Sequence, residues 1–210
     1  MSSVMDEELK AKAAAYMAGV SGKVAVTPRF PVSFGTQENA LVSILGTYGA
    51  VVKGRGVDFR MDDATVSKVE KVVKWIFESN KRGLLLCGTL GNGKTTMLTT
   101  FKMLFGPRAV YYEAQALYDY YKLNQSLPRI MMNDVLLIDD LGVEPNSYNE
   151  FGDRRYPLAD IILARYRQNA TTIIATNCTL EQIGEQYGDR VRDRMKEMFA
   201  MIKYIEPSYR

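Results

Sequence analysis

The chain has 210 residues, 47% of them hydrophobic, enough for one substantial core and a small appendage, and a net charge of +3 from 27 basic and 24 acidic residues mixed along its length. It contains no histidine and only two, widely separated cysteines, Cys87 and Cys178. A Ser-His-Asp triad, a histidine base, a His-ligated metal, a disulfide framework and a Cys-only zinc site are therefore excluded. No uncharged apolar stretch approaches the roughly 20 residues of a bilayer-spanning helix, and the first residues lack a signal's basic and apolar parts, so a cytoplasmic protein without membrane contact is expected.

In chain order, Asp6 to Met17 reads as a short Ala-rich helix with Asp6, Glu7 and Glu8 at its N-terminus. A stretch rich in Gly, Pro and Ser follows, then a second helix over Gln37 to Thr47. Gly46, Gly49, Gly54 and Gly56 read as a linker. From Asp63, Val66, Val69, Val72, Val73, Ile76 and Phe77 are spaced for one helix face. Beyond Gly83 short apolar runs alternate with helical ones. Strands are expected at Gly83 to Cys87, Ala109 to Glu113, Val135 to Asp139, Thr171 to Thr176 and Ala200 to Ile205. Helices are expected at Lys94 to Phe105, Ala114 to Asn124, Pro157 to Asn169, Leu180 to Gln186 and Asp189 to Phe199. The alternation predicts an α/β fold of three αβα layers around a five-stranded, mainly parallel sheet. The organisation expected is an N-terminal region and linker over 1–57 and a nucleotide-binding domain over 58–210.

Four motifs carry chemistry. Gly88-Thr-Leu-Gly-Asn-Gly-Lys-Thr95 satisfies G-x-x-x-x-G-K-[ST] between a strand and a helix, the context a phosphate-binding P-loop requires. Backbone N–H groups of Gly88, Thr89, Leu90, Gly91, Asn92, Gly93 and Thr96 would face phosphate oxygens, Lys94 would reach the β and γ phosphates, and the Thr95 hydroxyl would bind Mg2+. The bland alternative is a Gly-rich turn with no ligand. Val135-Leu-Leu-Ile-Asp-Asp140 delivers two carboxylates to the sheet edge where ligands bind: Asp139 toward the magnesium, Asp140 as base for an attacking water. Thr171-Thr-Ile-Ile-Ala-Thr-Asn177 ends a third strand there, so that Asn177 either contacts that water or the γ-phosphate, or is a turn residue. In Gly188-Asp-Arg-Val-Arg-Asp-Arg-Met-Lys-Glu-Met-Phe199, Arg190 and Arg194 share a helix face. They are either part of a salt-bridged surface or an arginine finger reaching a neighbouring subunit's phosphate.

In this order and spacing, the phrases GTLGNGKTT, VLLIDDLGVE, TTIIATN, YGDRVRDRM and IEPSYR resemble the AAA+ ATPases of the DnaC/IstB type, bacterial replicative helicase loaders and transposition helpers, over about Phe59 to Arg210. The resemblance implies that Gly88 to Thr96 is the Walker A loop, Asp139 and Asp140 the Walker B pair, Asn177 sensor 1, Arg194 the arginine finger with Arg190 beside it, and Arg210 a sensor 2 arginine. It implies ATP or ADP with Mg2+ as ligands, a helical lid that is short or absent, self-association through the arginine helix, and neighbouring strands ending at Cys87 and Cys178. Asp140 departs from the usual Glu of AAA+ proteins, and its shorter side chain bears on turnover.

The expected function is ATP binding and hydrolysis coupled to single-stranded DNA and to loading or remodelling of a replicative helicase. Alternatives are a transposition helper acting with a transposase, a nucleotide-switched adaptor with little turnover and, fitting poorly, a small-molecule kinase. Tyr111, Tyr112, Tyr118, Tyr120, Tyr121 and Lys122 are candidates for stacking on bases or for ordinary packing, and Gly152-Asp-Arg-Arg-Tyr156 is a second DNA-contact candidate. Asp6 to Met17 and Phe30 to Thr47 are candidates for partner contact or for an arm packed on the chain's own domain.

Overall fold

The computed structural model describes residues 30–89, 91–124, 130 and 133–204. The helix expected over Asp6 to Met17, and the ligand roles expected of Leu90 and Arg210, lie outside the described residues. The elements are α1 (Gln37–Gly54), α2 (Asp63–Glu78), β1 (Gly83–Gly88), α3 (Lys94–Phe105), β2 (Ala109–Glu113), α4 (Ala114–Asn124), β3 (Val135–Leu141), β4 (Tyr148–Glu150), β5 (Asp153–Arg155), α5 (Pro157–Arg167), β6 (Thr171–Thr176), α6 (Leu180–Tyr187), α7 (Asp189–Met198) and β7 (Phe199–Tyr204).

Five strands pair in the order β2-β3-β6-β1-β7, every neighbour parallel. The central strands β1, β3 and β6 are short, apolar and buried on both faces, as parallel strands tend to be, while the edge strands β2 and β7 are partly exposed. The two-residue period divides the core. Leu84, Leu86, Val135, Leu137, Ile173 and Ala175 face α1, α2 and α3, where they meet Ala40, Ile44, Val69, Val72, Met97 and Phe101. Leu85, Leu136, Ile138 and Ile174 face the opposite layer, among Leu117, Leu158, Ile162, Ile183, Val191 and Met195 of α4 to α7. Burying each such side chain stabilises the fold by about 1.5–3 kcal/mol, and a one-residue slip of any strand would exchange the two sets. β1 lies between β6 and β7, so Cys87 is in register with Thr176, two residues before Cys178. Both thiols are free.

Three features differ from the sequence reading. The linker expected at Gly46 to Gly56 is mostly helix, because α1 continues to Gly54 and buries Tyr48 and Val51 on the face begun by Ala40 and Ile44. Two interior glycines cost about 1 kcal/mol each relative to alanine, which this burial offsets. At Gly49 the missing side chain has a use, since a Cβ would stand 2.8 Å from the Phe59 ring as the chain folds back over the helix. Second, α2 buries Trp75 and Lys68 beside its valines, while Phe77 is 38% exposed. Third, Gly152 to Tyr156 is not a plain loop. Most of it belongs to an antiparallel hairpin, β4 with β5, turning at Phe151 and Gly152, both with positive φ. The helix and strand ends otherwise fall within two residues of those expected. Among the described residues no helix is long and apolar enough to cross a membrane.

Candidate functional site

The carboxyl ends of β1, β3 and β6 meet at one cleft. Its walls include Gly91, Asn92, Gly93, Lys94, Thr95, Thr96, Asp140 and Asn177, and its volume is about 270 Å³. The loop after β1 turns into α3 at Gly93, whose φ of 86° places it in the left-handed region. A Cβ there would also lie 2.2 Å from the Tyr48 hydroxyl, so both conformation and space demand glycine. No side chain caps α3, which leaves its first N–H groups and the positive end of its dipole toward the cleft. An anion of phosphate size fits that chemistry.

Lys94, at the first position of α3, is only 6% exposed. Its ammonium donates to the carbonyls of Gly88 and Thr89, both at 2.7 Å, and to Asn177 Oδ1 at 2.8 Å. Burial lowers its proton affinity, and the carboxylates of Asp140 and Asp139 oppose that shift. The structure thus joins Asn177 directly to the P-loop lysine across 83 residues.

The ladder between β3 and β6 breaks its register between Ile138 and Leu141. Within that irregularity Asp140 adopts φ 53°, uncommon for a residue with a side chain. Asp139, 3% exposed, accepts the Tyr111 hydroxyl at 2.7 Å and the Asp140 N–H at 3.0 Å. Asp140 projects to the cleft wall, and its carboxyl is held above the usual carboxylate range by burial and then by the charge of Asp139, against the pull of Lys94. The more basic a carboxylate that is still ionised near neutral pH, the better it accepts a proton from water.

Thr95, exposed at the second position of α3, and Asp139 are hard oxygen donors of the kind Mg2+ takes. Among the described residues no group of three or more His, Cys, Asp and Glu could hold a metal alone. Thr95 lines the cleft, whereas Asp139 is buried behind it with both oxygens accepting hydrogen bonds, so the set suits an ion held by Thr95, phosphate and water with Asp139 in support.

Several candidates lie elsewhere. Arg190 and Arg194 do not line the cleft of their own chain. Arg194 pairs with Glu197 at 2.8 Å and lies over the Tyr166 ring, and Arg192 pairs with Asp189, so the salt-bridged reading holds for part of α7. Arg190 is exposed and makes no ion pair among the described residues. The tyrosine group divides. Tyr111 serves Asp139, Tyr118 is buried with its hydroxyl on the Ser147 carbonyl, and Tyr121 donates to Asp160, which leaves these three as packing and positioning groups. Burial and the bond to Asp139 push the Tyr111 phenol well above its usual range, so it stays a donor.

The cleft also has a wall with no sequence signal. Tyr48, Val52, Arg55, Val57, Asp58, Phe59 and Arg60, from the end of α1 and the turn after it, close it opposite the strand ends. Tyr48, Val52 and Arg55 fall where glycines suggested a linker, and Val57, Asp58, Phe59 and Arg60 follow directly after it. A second unforeseen feature ties the loop after β3 to α6: buried Glu144 accepts the Gly142 N–H at 3.0 Å and the Tyr187 hydroxyl, while Gln186 donates to the Glu144 carbonyl at 3.2 Å.

A P-loop entering α3, paired acids after β3 and a polar residue after β6, on a sheet of order β2-β3-β6-β1-β7, define an α/β P-loop nucleotide-binding domain of the AAA+ type. The chain belongs to the family of IstB-like ATP binding proteins, whose profile matches residues 55–196. Among solved structures it is similar to DnaI, at 20% identity and TM-score 0.55 over 77% of this chain and 93% of that one. It is also similar to the replication initiator DnaA bound to AMPPCP and single-stranded DNA, at 18% identity and TM-score 0.54 over 71% of this chain and 49% of that one. For AMPPCP-bound DnaA from Aquifex aeolicus the values are 18% and 0.50, over 86% of this chain and 51% of that one. The chain therefore spans about half of each DnaA chain, and at these identities the likeness is one of fold. No curated protein sequence matches.

Proposed function

We propose that the protein hydrolyses ATP in this cleft, in an assembly of like subunits, and uses the cycle to load or remodel a ring helicase on single-stranded DNA. The observation that carries the reading is the meeting of Lys94, Asn177 and Asp140 at one cleft while Arg190, on α7, stays exposed on the same chain. Lys94 and the N–H groups of Gly88, Thr89, Gly91, Asn92, Gly93 and Thr96 bind the β and γ phosphates. Thr95 would hold Mg2+, with Asp139 behind it, and the ion would neutralise phosphate charge. Asp140 takes a proton from water as the water oxygen bonds to the γ-phosphorus and the bond to ADP breaks. Asn177 orients that water and reports the γ-phosphate to Lys94. Arg194 or Arg190 of a second copy, neither of which lines the cleft of its own chain, adds positive charge at the γ-phosphate.

The β4–β5 hairpin supports the DNA part. Phe151 is fully exposed at its tip, Arg154 stacks on Tyr156, and both arginines of β5 are exposed. An exposed ring beside guanidinium groups suits stacking on bases and contact with phosphates. The replication initiator DnaA, of the same fold, has been solved with single-stranded DNA. The test is ATP turnover with and without single-stranded DNA and the cell's replicative helicase, for wild type and Lys94→Ala. Turnover that rises with either addition and disappears in the variant is expected; activity unaffected by the substitution refutes the reading. Capture of a transposase, and of no helicase in ATP or ADP, would transfer the same engine to transposition.

A further inference from the structure

The wall formed by the end of α1 holds a charged residue aimed at the phosphate-binding helix. Arg55 caps α1, its own N–H returning to the carbonyls of Val52 and Lys53. Its guanidinium reaches across to α3, where Nη1 donates to Thr96 Oγ1 at 3.0 Å and Nη2 to Thr99 Oγ1 at 3.4 Å. Thr96 is the third residue of α3, so its N–H is among those with no intrahelical acceptor and points into the cleft that Arg55 also lines. A guanidinium carries five N–H donors, and the two threonines use two of them. Among the described residues Arg55 makes no ion pair. A cation that is exposed, tethered by neutral hydroxyls and unneutralised by carboxylate is placed for an anionic ligand.

The position along the helix selects which anion. Lys94 and the loop before it occupy the end of the cleft toward Asn177 and Asp140, where the β and γ phosphates belong. Arg55 lies two residues further into α3, beside Val57, Asp58 and Phe59, the part of the cleft left for ribose and base. Between them is the place of the α-phosphate. We propose that Arg55 binds the α-phosphate of ATP and of ADP, so that this chain grips its nucleotide from α1 in both states.

The proposal rests on ATP occupying the cleft and is tested on the full chain. Dissociation constants for ADP and for a non-hydrolysable ATP analogue are measured for wild type, Arg55→Ala, Arg55→Lys and Thr99→Val. Arg55→Ala weakens both nucleotides by the same factor, about tenfold, the order expected for one charge-assisted hydrogen bond. Arg55→Lys falls between, and Thr99→Val, which loosens the tether alone, stays within about twofold of wild type. Unchanged affinity in Arg55→Ala overturns the proposal, as does weakening of the ATP analogue alone, which would move the contact to the γ-phosphate. Equal losses in Thr99→Val and Arg55→Ala would reduce Arg55 to a brace between α1 and α3. A wild-type chain that binds neither nucleotide would overturn the reading of the cleft, and this inference with it.

Discussion

Asn177 is asked to do two things, and they can be separated. Its Oδ1 accepts one of the three hydrogen bonds of the Lys94 ammonium, at 2.8 Å. A hydrogen bond to a charged donor contributes about 1.5–3 kcal/mol, and the low end applies because the ammonium opens onto the cleft. Asn177→Ala should therefore cost the protein about 1.5 kcal/mol, or about 3–6 °C in melting temperature for a chain of this length. If Asn177 also orients the attacking water, single-turnover hydrolysis should slow by about 10–100-fold while ADP affinity changes little. Asn177→Asp distinguishes the roles, since it returns an acceptor to Lys94 but sets a negative charge against the γ-phosphate. It should restore the melting temperature and leave turnover impaired. Turnover of Asn177→Ala within twofold of wild type would refute a part in the chemistry. Recovery of both properties in Asn177→Asp would show that Asn177 acts only by holding Lys94.

Asp140→Asn should abolish turnover, by about a hundredfold or more. Because the Asp140 carboxyl titrates above its unfolded value, the native state loses stability as pH rises through the folded value, so removing the charge should raise the melting temperature near neutral pH by about 2 °C or less. The deprotonated form is the base, so the acid limb of the pH–rate profile should fall above the ordinary carboxylate pKa of about 4. Phe151→Ala should weaken single-stranded DNA binding by about five- to tenfold with no change in melting temperature, whereas Tyr111→Phe should leave DNA affinity unchanged. The opposite pattern in a filter-binding titration would return DNA contact to the tyrosines of β2. Tyr187→Phe leaves the buried Glu144 carboxylate one donor short and should lower stability by about 2 kcal/mol in a denaturant titration, and a neutral result would remove the tie between the β3 loop and α6.

The strand ends were legible because their residues obey local rules. GTLGNGKTT needs a strand before it and a helix after it, and the apolar runs ending at Asp139 and Thr176 are too short for helices, so one edge of one sheet had to collect Lys94, Asp140 and Asn177. That the strands ending at Cys87 and Cys178 are neighbours followed from the family resemblance. What stayed hidden is the non-local part. Nothing near Gly46, Gly49 and Gly54 announces that α1 runs through them, because its stability comes from Tyr48 and Val51 packing on distant elements. With the end of α1 read as a linker, the wall made by Arg55 and the turn after it, Asp58 and Phe59, had no place in the site. Tyr111 looked like a stacking residue by composition, and only pairing of β2 with β3 brings its hydroxyl to Asp139. The β4–β5 hairpin was missed because its three-residue strands are too short to show a period.

The claim on which the account turns is that one copy's cleft is completed by α7 of another. Two inactive proteins test it: Lys94→Ala, with an intact α7 and a disabled cleft, and Arg190→Ala/Arg194→Ala, with the reverse. ATP turnover is measured for each alone and for an equimolar mixture with single-stranded DNA. The account predicts that the mixture regains about a quarter or more of wild-type turnover, because intact clefts then meet intact arginines. Wild-type turnover by the double variant alone, or a mixture that assembles and stays inactive, would contradict it.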